Sequence, residues 1–352
     1  MAGVRRYAEF HSWNLLTGDV IELAGVDGCI AHIGHSTLAD QIRAAKLPAV
    51  NVSWSRHERD HVHHCNADGR SAGALAARFF LDHGHCRFGY FGPPVSPDHC
   101  HQFRQSFVSA VQDAGHECSI LDEPGSNREL AHARRRLGSW LAGLTKPVAV
   151  MAFDAFLGKE VSEASVRIGI RIPDELALLC GDLDEAAHGD AATSLSGIDL
   201  NRHRIGYEAA VLLGKLLAGH KPRAPILIPP RGIQANRSTD ALVFSDPVLL
   251  EALRFIRAKS GDPIQVSDIV DHVMVSRRLL ESRFRDTLKR SPAAEIRRVR
   301  LDRSRRLLDG GLSVNDTAAC SGFRYPEVFS RAFRREFGVS PSDYRLPGSQ
   351  GR

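Results

Sequence analysis

Apolar residues follow two different rhythms along the 352-residue chain. Up to about residue 240, short apolar runs alternate with helical stretches. The runs are GCIAHI at 28–33, PAVNVS at 48–53, RFGYFG at 87–92, PVAVMAF at 147–153, ELALLCG at 175–181 and APILIPP at 224–230. Each is bounded by Gly, Pro or charge, the pattern of a strand buried on both faces in a parallel sheet. Helical spacing is read over Ser71–His83, Arg104–Ala114, Gly158–Gly169 and Gly206–Ala218. Strands and helices taking turns over more than 200 residues predict an open α/β sheet, or two of them. A single large enzyme domain has the same rhythm.

From Asp246-Pro247 onward the period becomes purely helical. Leu249, Leu250, Leu253 and Ile256 are followed by Val266, Ile269, Val270 and Val273, then by Leu279, Leu280, Phe284 and Leu288. Further helices fit Ala293–Leu308, Val314–Cys320 and Pro326–Phe337. Two helix-turn-helix patterns emerge. In the first, a turn at Val273–Val275 precedes Ser276 as the cap of a helix with Leu279, Leu280 and Phe284 inward. Its outer face offers Arg277, Arg278, Glu281, Ser282 and Arg285. In the second, Ser313 caps Val314–Cys320, and Gly322 reverses the chain. Phe329, Phe333 and Phe337 then form a buried stripe, with Glu327, Ser330, Arg331, Arg334 and Arg335 outside. The predicted organisation is an α/β domain over 1–240, a linker over 241–248, an all-α domain over 249–346 and a tail over 347–352.

Composition sharpens this picture in two places. Hydrophobic residues at 43% and charged residues at 25% are ordinary for a globular protein. No apolar run approaches 18 residues, and the first residues lack a signal-peptide core, so a membrane span or secretion is not expected. Seven widely spaced cysteines without a CxxC pair suit a reducing, cytoplasmic setting. The charge is uneven. Residues 251–352 hold 21 Lys+Arg against 13 Asp+Glu, whereas the rest of the chain is mildly acidic. A basic helical module points to a polyanion, and helices rich in outward arginine suit the major groove of DNA.

The segment GFRYPEVFSRAFRREFGVSPSDYR (322–345) closely resembles the C-terminal signature of AraC-type transcription regulators. VSRRLLESRFRDTLKRSPAAEIRRVRLDRSRRLL (275–308) resembles the same family's first recognition helix and the helix joining its two motifs. The resemblance implies that each motif places a helix in successive major grooves of promoter DNA. Base-reading positions carried over are Arg278, Glu281 and Ser282 in the first helix. In the second they are Pro326, Glu327, Ser330 and Arg331. Arg334 and Arg335 are phosphate or solvent positions, and Arg283 is open between packing and phosphate.

Residues 19–240 resemble the effector-binding domain of LacI-type repressors, a two-lobed fold shared with periplasmic sugar-binding proteins. The resemblance rests on CNADGRSAGALAARFFLDHGHCRFGYFG (65–92), RIPDELALLCGDLDE (171–185), LSGIDLNRHRIGYEAAVLLGKLLAG (195–219) and ILIPPRGIQANRSTD (226–240). Joined to an AraC-type tail, this is similar to the arrangement of the xylose-operon activators. There is one departure. Such effector domains open with a strand and a longer first helix before the position of Gly3, so this chain is expected to be N-terminally truncated. Loss of a central strand would expose a sheet edge and leave a cavity. A start codon placed too late, or a degenerate effector domain, would each explain it.

Ligands of such folds lie at the carboxyl ends of strands where the lobes meet. That rule and the resemblance select Asp68, Arg104, Asp154 and Asp182 as polar ligand contacts. Phe153, with Phe156 and Trp54, would form an apolar wall. Asp68 and Asp182 equally suit a helix cap or a strand-end turn. His57, His61, His63, His64 and Cys65 are dense enough to suggest zinc or copper, but residues alternating along a strand face opposite ways and no second ligand pair follows. No metal and no cofactor are expected. HExxH, GxxxxGK[ST] and GxSxG are absent, and Asp182, Asp184 and Glu185 have no fixed separation as paired acids. The expected function is a cytoplasmic, sugar-responsive activator of a sugar-use operon, binding a pentose or related sugar and promoter DNA. A homodimer is expected, and RNA polymerase is a further partner open to an activator. Two alternatives stand beside it. One is a regulator whose effector-like region binds nothing and serves as a dimerisation or partner scaffold. The other is a sugar-processing enzyme with a basic helical appendage.

Overall fold

The apolar runs of the first region become strands of two separate sheets. The computed structural model describes residues 1–18, 25–33, 36–54, 62–94, 101–122, 130–182, 194–220 and 224–344. His57, His61, Asp184, Glu185 and the tail 347–352 lie outside the described residues. The chain divides into Met1–Ala241 and Leu242–Arg352.

In the first unit, one sheet holds β1 (Cys29–Ala31), β2 (Ala49–Asn51), β3 (His63–Ala67) and β9 (Ile226–Ile228), in that order and all parallel. The other runs β10-β8-β7-β6-β4-β5. Its members are β4 (Phe88–Gly92), β5 (Cys118–Asp122), β6 (Val148–Ala152), β7 (Leu176–Cys180), β8 (Ser196–Asp199) and β10 (Gly232–Gln234), the last antiparallel. Strands β4, β6 and β7 are buried at every position. Their side chains divide by parity, as a period of two requires. Tyr90 and Met151 enter one core with Phe80, Phe103 and Phe107. Phe91, Val150 and Leu178 enter the opposite core with Leu137, Leu141 and Val161. The smaller sheet is likewise covered on both faces: Val50, Cys65 and Ile228 pack with Ala209, Leu212 and Leu213, while Ile33 and Ala49 pack with Ala39 and Ile42. β1 pairs with β2 on one side and, among the described residues, with no strand on the other.

The covering helices are α1 (Ala2–His11), α2 (Ser36–Ala44), α3 (Gly69–Asp82), α4 (Gln102–Asp113), α5 (Leu130–Gly143), α6 (Ala155–Arg167) and α7 (Arg202–Leu217). The chain passes between the lobes three times: at Asp68 after β3, at Leu200–Arg202 after β8, and at Pro229–Arg231 between β9 and β10. These crossings are stitched together. The Asp68 amide donates to the Ile228 carbonyl at 2.7 Å, and the Arg231 amide to the Asp199 carbonyl at 2.8 Å. Asn201 is left-handed at φ 61°; its amide donates to Asp199 Oδ1 at 2.9 Å.

The second unit is helical throughout its described residues. Its helices are α8 (Pro247–Ala258), α9 (Val266–Val273), α10 (Arg277–Leu288), α11 (Pro292–Asp309), α12 (Val314–Cys320), α13 (Pro326–Phe337) and α14 (Pro341–Tyr344). Two cores form. Leu249, Leu253, Ile269, Leu280, Phe284 and Ile296 make the first. Leu301, Leu308, Ala318, Phe329 and Phe333 make the second. The 18-residue α11 contributes to both. Much of the stretch expected as a linker is ordered against this unit. Leu242 and Phe244 pack on its first core, and Asp246 caps α8 through the Val248 and Leu249 amides with Pro247 in the first turn. On the other side of the joint, Ser238 and Thr239 are buried in the first unit, where Ser238 Oγ donates to the Leu178 carbonyl at 2.6 Å. Among the described residues no helix is long and apolar enough to cross a membrane.

Candidate nucleic-acid interface and ligand cleft

Helix α9 begins with a capping box, in which the Gln265 amide donates to Asp268 Oδ2 at 2.6 Å. It ends where Met274 turns left-handed at φ 51°. Ser276 Oγ then accepts the Leu279 amide and starts α10. The buried stripe of α10 is Leu280, Phe284 and Leu288 at a spacing of four. Leu279, expected inward, is 41% exposed, because it lies one position and so about 100° off that stripe. Arg277, Arg278 and Arg285 are exposed. Glu281 accepts from Arg277 Nε at 2.9 Å, and Ser282 Oγ donates to Asp286 at 2.9 Å. Arg283 faces inward and pairs with Asp246.

The second motif repeats this construction. Ser313 Oγ accepts the Asp316 amide and donates to Asp316 Oδ2 at 2.6 Å. The turn to α13 needs glycine. Gly322 has φ 70°, and a Cβ there would lie 2.4 Å from the Asp262 carbonyl oxygen. Phe329 and Phe333 are buried, and Gly338 at φ 74° ends the helix. Glu327, Arg331, Arg334 and Arg335 are exposed, while Pro326 and Ser330 are half-buried. Helix α11 holds the motifs together through arginines that the sequence reading did not single out. Arg300 Nη2 donates to the Asp262 and Ile264 carbonyls at 2.9 and 2.8 Å. Arg303 Nε donates to the Cys320 carbonyl at 2.8 Å.

In the first unit, the carboxyl ends of β3, β6 and β7 carry Asp68, Asp154 and Asp182. Asp68 is a helix cap: Oδ1 accepts the Arg70 and Ser71 amides at 3.0 and 3.3 Å, and Oδ2 accepts Ser71 Oγ. Asp154 caps α6 through the Leu157 amide at 2.8 Å. Asp182 accepts the Ala155 amide at 3.0 Å and Arg202 Nη2 at 2.7 Å. Arg104 donates to Asp122 at 2.7 Å and lies 5.7 Å from the Tyr90 ring centre. Phe153 is joined by Trp54 and Phe103 in a cluster with ring centres 6.1–6.3 Å apart. Phe156 stands 66% exposed outside that cluster. Two groups missed in the sequence reading belong here. One is Arg202, at a lobe crossing. The other is His32 at the end of β1, which burial and the Arg202 charge hold below the ordinary imidazole pKa. The strand ends therefore group three carboxylates, two guanidinium groups each bonded to an aspartate, and an aromatic cluster. Of the histidine-cysteine group, His63, His64 and Cys65 lie on β3, with Cys65 buried.

Comparison with known proteins agrees with this division. A periplasmic binding protein-like domain matches residues 77–239 and a helix-turn-helix domain matches residues 269–346. The xylose operon regulatory protein of Haemophilus influenzae is 26% identical over 337 residues, covering 93% of this chain and 87% of that protein. Its Escherichia coli K12 counterpart is 27% identical over 335 residues, covering 92% and 85%. The solved structure of a xylose-binding transcription activator superposes with a TM-score of 0.59 at 25% identity, covering 97% of this chain and 92% of that one. Both domains, in this order and over nearly the whole length, make the chain an AraC-type helix-turn-helix transcription regulator with a periplasmic-binding-protein-like domain, related to the xylose operon regulators and not an enzyme.

Proposed function

We propose that the chain senses a small uncharged sugar, xylose or a related pentose, and activates a sugar-use operon as a DNA-bound homodimer in the cytoplasm. The observation that carries the ligand reading is the grouping of polar and aromatic side chains at the carboxyl ends of the strands. Asp154 and Asp182 end neighbouring strands beside an aromatic cluster, and Arg104 and Arg202 are each held by a carboxylate. Such a set favours hydroxyl groups over a charged ligand. Ligand binding across the three crossings would shift the balance between lobe arrangements, and with it the presentation of paired helical units to DNA. On the helical unit, Arg277, Arg278, Glu281, Ser282 and Arg285 of α10 and Pro326, Glu327, Ser330, Arg331, Arg334 and Arg335 of α13 supply the DNA contacts. Arg278 and Arg331 are the base-reading arginines, and RNA polymerase is the partner through which activation would act.

A second reading has its own support. Asp68, Asp154 and Asp182 all serve local bonds, and Trp54 already packs on Phe103 and Phe153. A cleft satisfied from within suits a scaffold that binds no sugar. Calorimetric and thermal-shift titration of the full chain with pentoses, then hexoses, separates the two. A bound sugar at 100 times its Kd adds about 2.7 kcal/mol of stability. Asp154→Ala and Asp182→Ala should each weaken binding roughly five- to 150-fold, the equivalent of losing about 1–3 kcal/mol of buried hydrogen bonding. DNA binding should persist in both variants. Absence of any titratable sugar would leave the scaffold reading.

A further inference from the structure

Three rings meet where the two lobes face each other. Trp54 follows β2 of the smaller sheet, whereas Phe103 lies in the first turn of α4 and Phe153 at the end of β6, on the side of the larger sheet. Trp54 lies 6.2 Å from Phe103 and 6.3 Å from Phe153 between ring centres, and those two lie 6.1 Å apart. Every pair meets edge to face, at 60°, 64° and 81°. Trp54 thus leaves its own lobe and packs on the core of the other. The fit is close. A Cβ at Gly69 would lie 2.8 Å from Trp54 Cζ3, and one at Gly181 would lie 3.1 Å from Phe103 Cζ.

The polar groups surround this triad. Asp68 precedes Gly69, Arg104 follows Phe103, Asp154 follows Phe153 and Asp182 follows Gly181. Each is one position from a ring of the triad or from a glycine packed against one. The indole therefore stands among the carboxylates and guanidinium groups, in the place a ligand ring would take. The backbone beneath it is fixed to the smaller lobe. The Val52 amide donates to the Ala31 carbonyl at 3.0 Å. Buried Asn51 accepts the Ile33 and Ser53 amides on Oδ1 at 3.2 and 2.8 Å, and Ser53 Oγ donates to the Ile33 carbonyl at 3.0 Å. Trp54 Nε1 makes no hydrogen bond among the described residues, so its hold on the larger lobe consists of ring contacts. Parting of the lobes, or rotation of the side chain, must break both of them.

We propose that Trp54 is an internal competitor for the ligand. In the ligand-free chain its indole latches the lobes by filling the ring site of Phe103 and Phe153, and a sugar binds by displacing it and laying its C–H face on the same rings. The proposal rests on the ligand reading above and changes the role of Trp54 from a wall of the site to its resident occupant. A site that must first be vacated binds more weakly by the fraction of molecules in which it is vacant. Two edge-to-face pairs of ordinary strength set that factor at roughly five- to 150-fold.

Two measurements on the full chain test it. In the first, Trp13→Phe and Trp140→Phe leave Trp54 as the sole tryptophan. Without ligand its emission should be shielded from acrylamide. Phe153→Leu, which keeps bulk and removes a ring, should raise the quenching, and so should saturating xylose. In the second, xylose is titrated by calorimetry into wild type, Trp54→Ala and Trp54→Leu, the leucine guarding against loss of folding in the alanine variant. Kd should tighten roughly five- to 150-fold in Trp54→Ala and in the same direction in Trp54→Leu. Adding Phe153→Leu to Trp54→Ala should weaken binding again. Weaker or unchanged binding in both Trp54 variants overturns the proposal and makes Trp54 a wall of the site. Ready quenching of Trp54 in the ligand-free chain overturns it too, by showing the latch open. Tightening that survives Phe153→Leu in full places the sugar elsewhere and overturns the ring site. A shielded Trp54 with no heat from xylose in any of these proteins removes the sugar reading itself, and the displacement falls with it.

Discussion

Glu295 lies in the first turn of α11 and is 1% exposed. It accepts Arg290 Nε at 2.6 Å and Arg298 Nε and Nη2 at 3.0 and 2.7 Å. Burial pushes its carboxyl upward, but Arg298 and Arg290 outweigh that and hold it below the ordinary carboxylate range. Glu295→Gln keeps the shape and removes the charge, so that Arg290 and Arg298, 14% and 22% exposed, lose their buried carboxylate, while Arg298 keeps its bond to Asp302 at 3.0 Å. Breaking a buried pair from one side costs about 3–5 kcal/mol. Because α11 contributes to both helical cores, that cost falls on the whole second unit. The assay can isolate it. Trp13, Trp54 and Trp140 all lie in the first unit, so tryptophan fluorescence follows that unit alone while far-UV circular dichroism follows both. In urea, the dichroism transition of the helical unit should fall by roughly 1–3 M, with the fluorescence midpoint unmoved. The lowered carboxyl contributes its stability above its unfolded pKa near 4.5 and loses it as the pH falls further through the folded value, so the gap between variant and wild type should close in that acid range. An unmoved dichroism midpoint at neutral pH would refute the reasoning, as would a shift that persists unchanged in acid.

His85 is 2% exposed with neither ring nitrogen hydrogen-bonded among the described residues, and burial lowers its pKa to about 4. A histidine depressed on folding loses its contribution as the pH falls from its unfolded value toward its folded one, so the first unit should lose about 2 kcal/mol between pH 7 and 5. Urea midpoints read by fluorescence should show this slope in wild type and a flatter one in His85→Leu; equal slopes would count against it. In the cleft, a Cβ at Gly181 would lie 2.0 Å from the Phe153 carbonyl oxygen, which is backbone and has little freedom to retreat. Gly181→Ala should therefore displace Asp182 from the Ala155 amide, lower the first unit's stability by about 1–3 kcal/mol and weaken sugar binding in a thermal-shift titration, without changing DNA affinity.

The strands legible in the sequence were those that form short apolar runs, above all the ones buried at every position. Phe88–Gly92, Val148–Ala152 and Leu176–Cys180 are uninterrupted apolar or glycine runs because nothing polar could be satisfied there. Strand β5, Cys118–Asp122, was missed because it lies at the sheet edge with Ser119, Ile120 and Asp122 exposed, and so never forms such a run. Ser196–Asp199 hid for the opposite reason. Its Ser196 is buried, but bonded to the distant Ser238 and Thr239. Ser276 and Ser313 announced their helices because a cap is a local event. Arg202 could not be found that way. Its bond to Asp182 spans twenty residues and arises only where the chain recrosses between sheets. The same holds for a groove between the two helix-turn-helix motifs. Arg297 lines it from α11 and Arg324 from the turn before α13, and nothing in the spacing of either marks it.

The joint between the units has a mechanical consequence. Thr239 is anchored in the first unit and Leu242 in the second, so only Asp240 and Ala241 belong firmly to neither core. Each residue has two soft torsions, giving four in all, and two extended residues reach only about 7 Å. A shift of the Thr239 anchor within that reach can be absorbed as torsion. Beyond it, Leu242 and Phe244 pack on the helical core, and Asp246 both starts α8 and pairs with Arg283 on the first reading helix. Between a residue packed in the first core and one packed in the second, the chain thus has four soft torsions of play and no more.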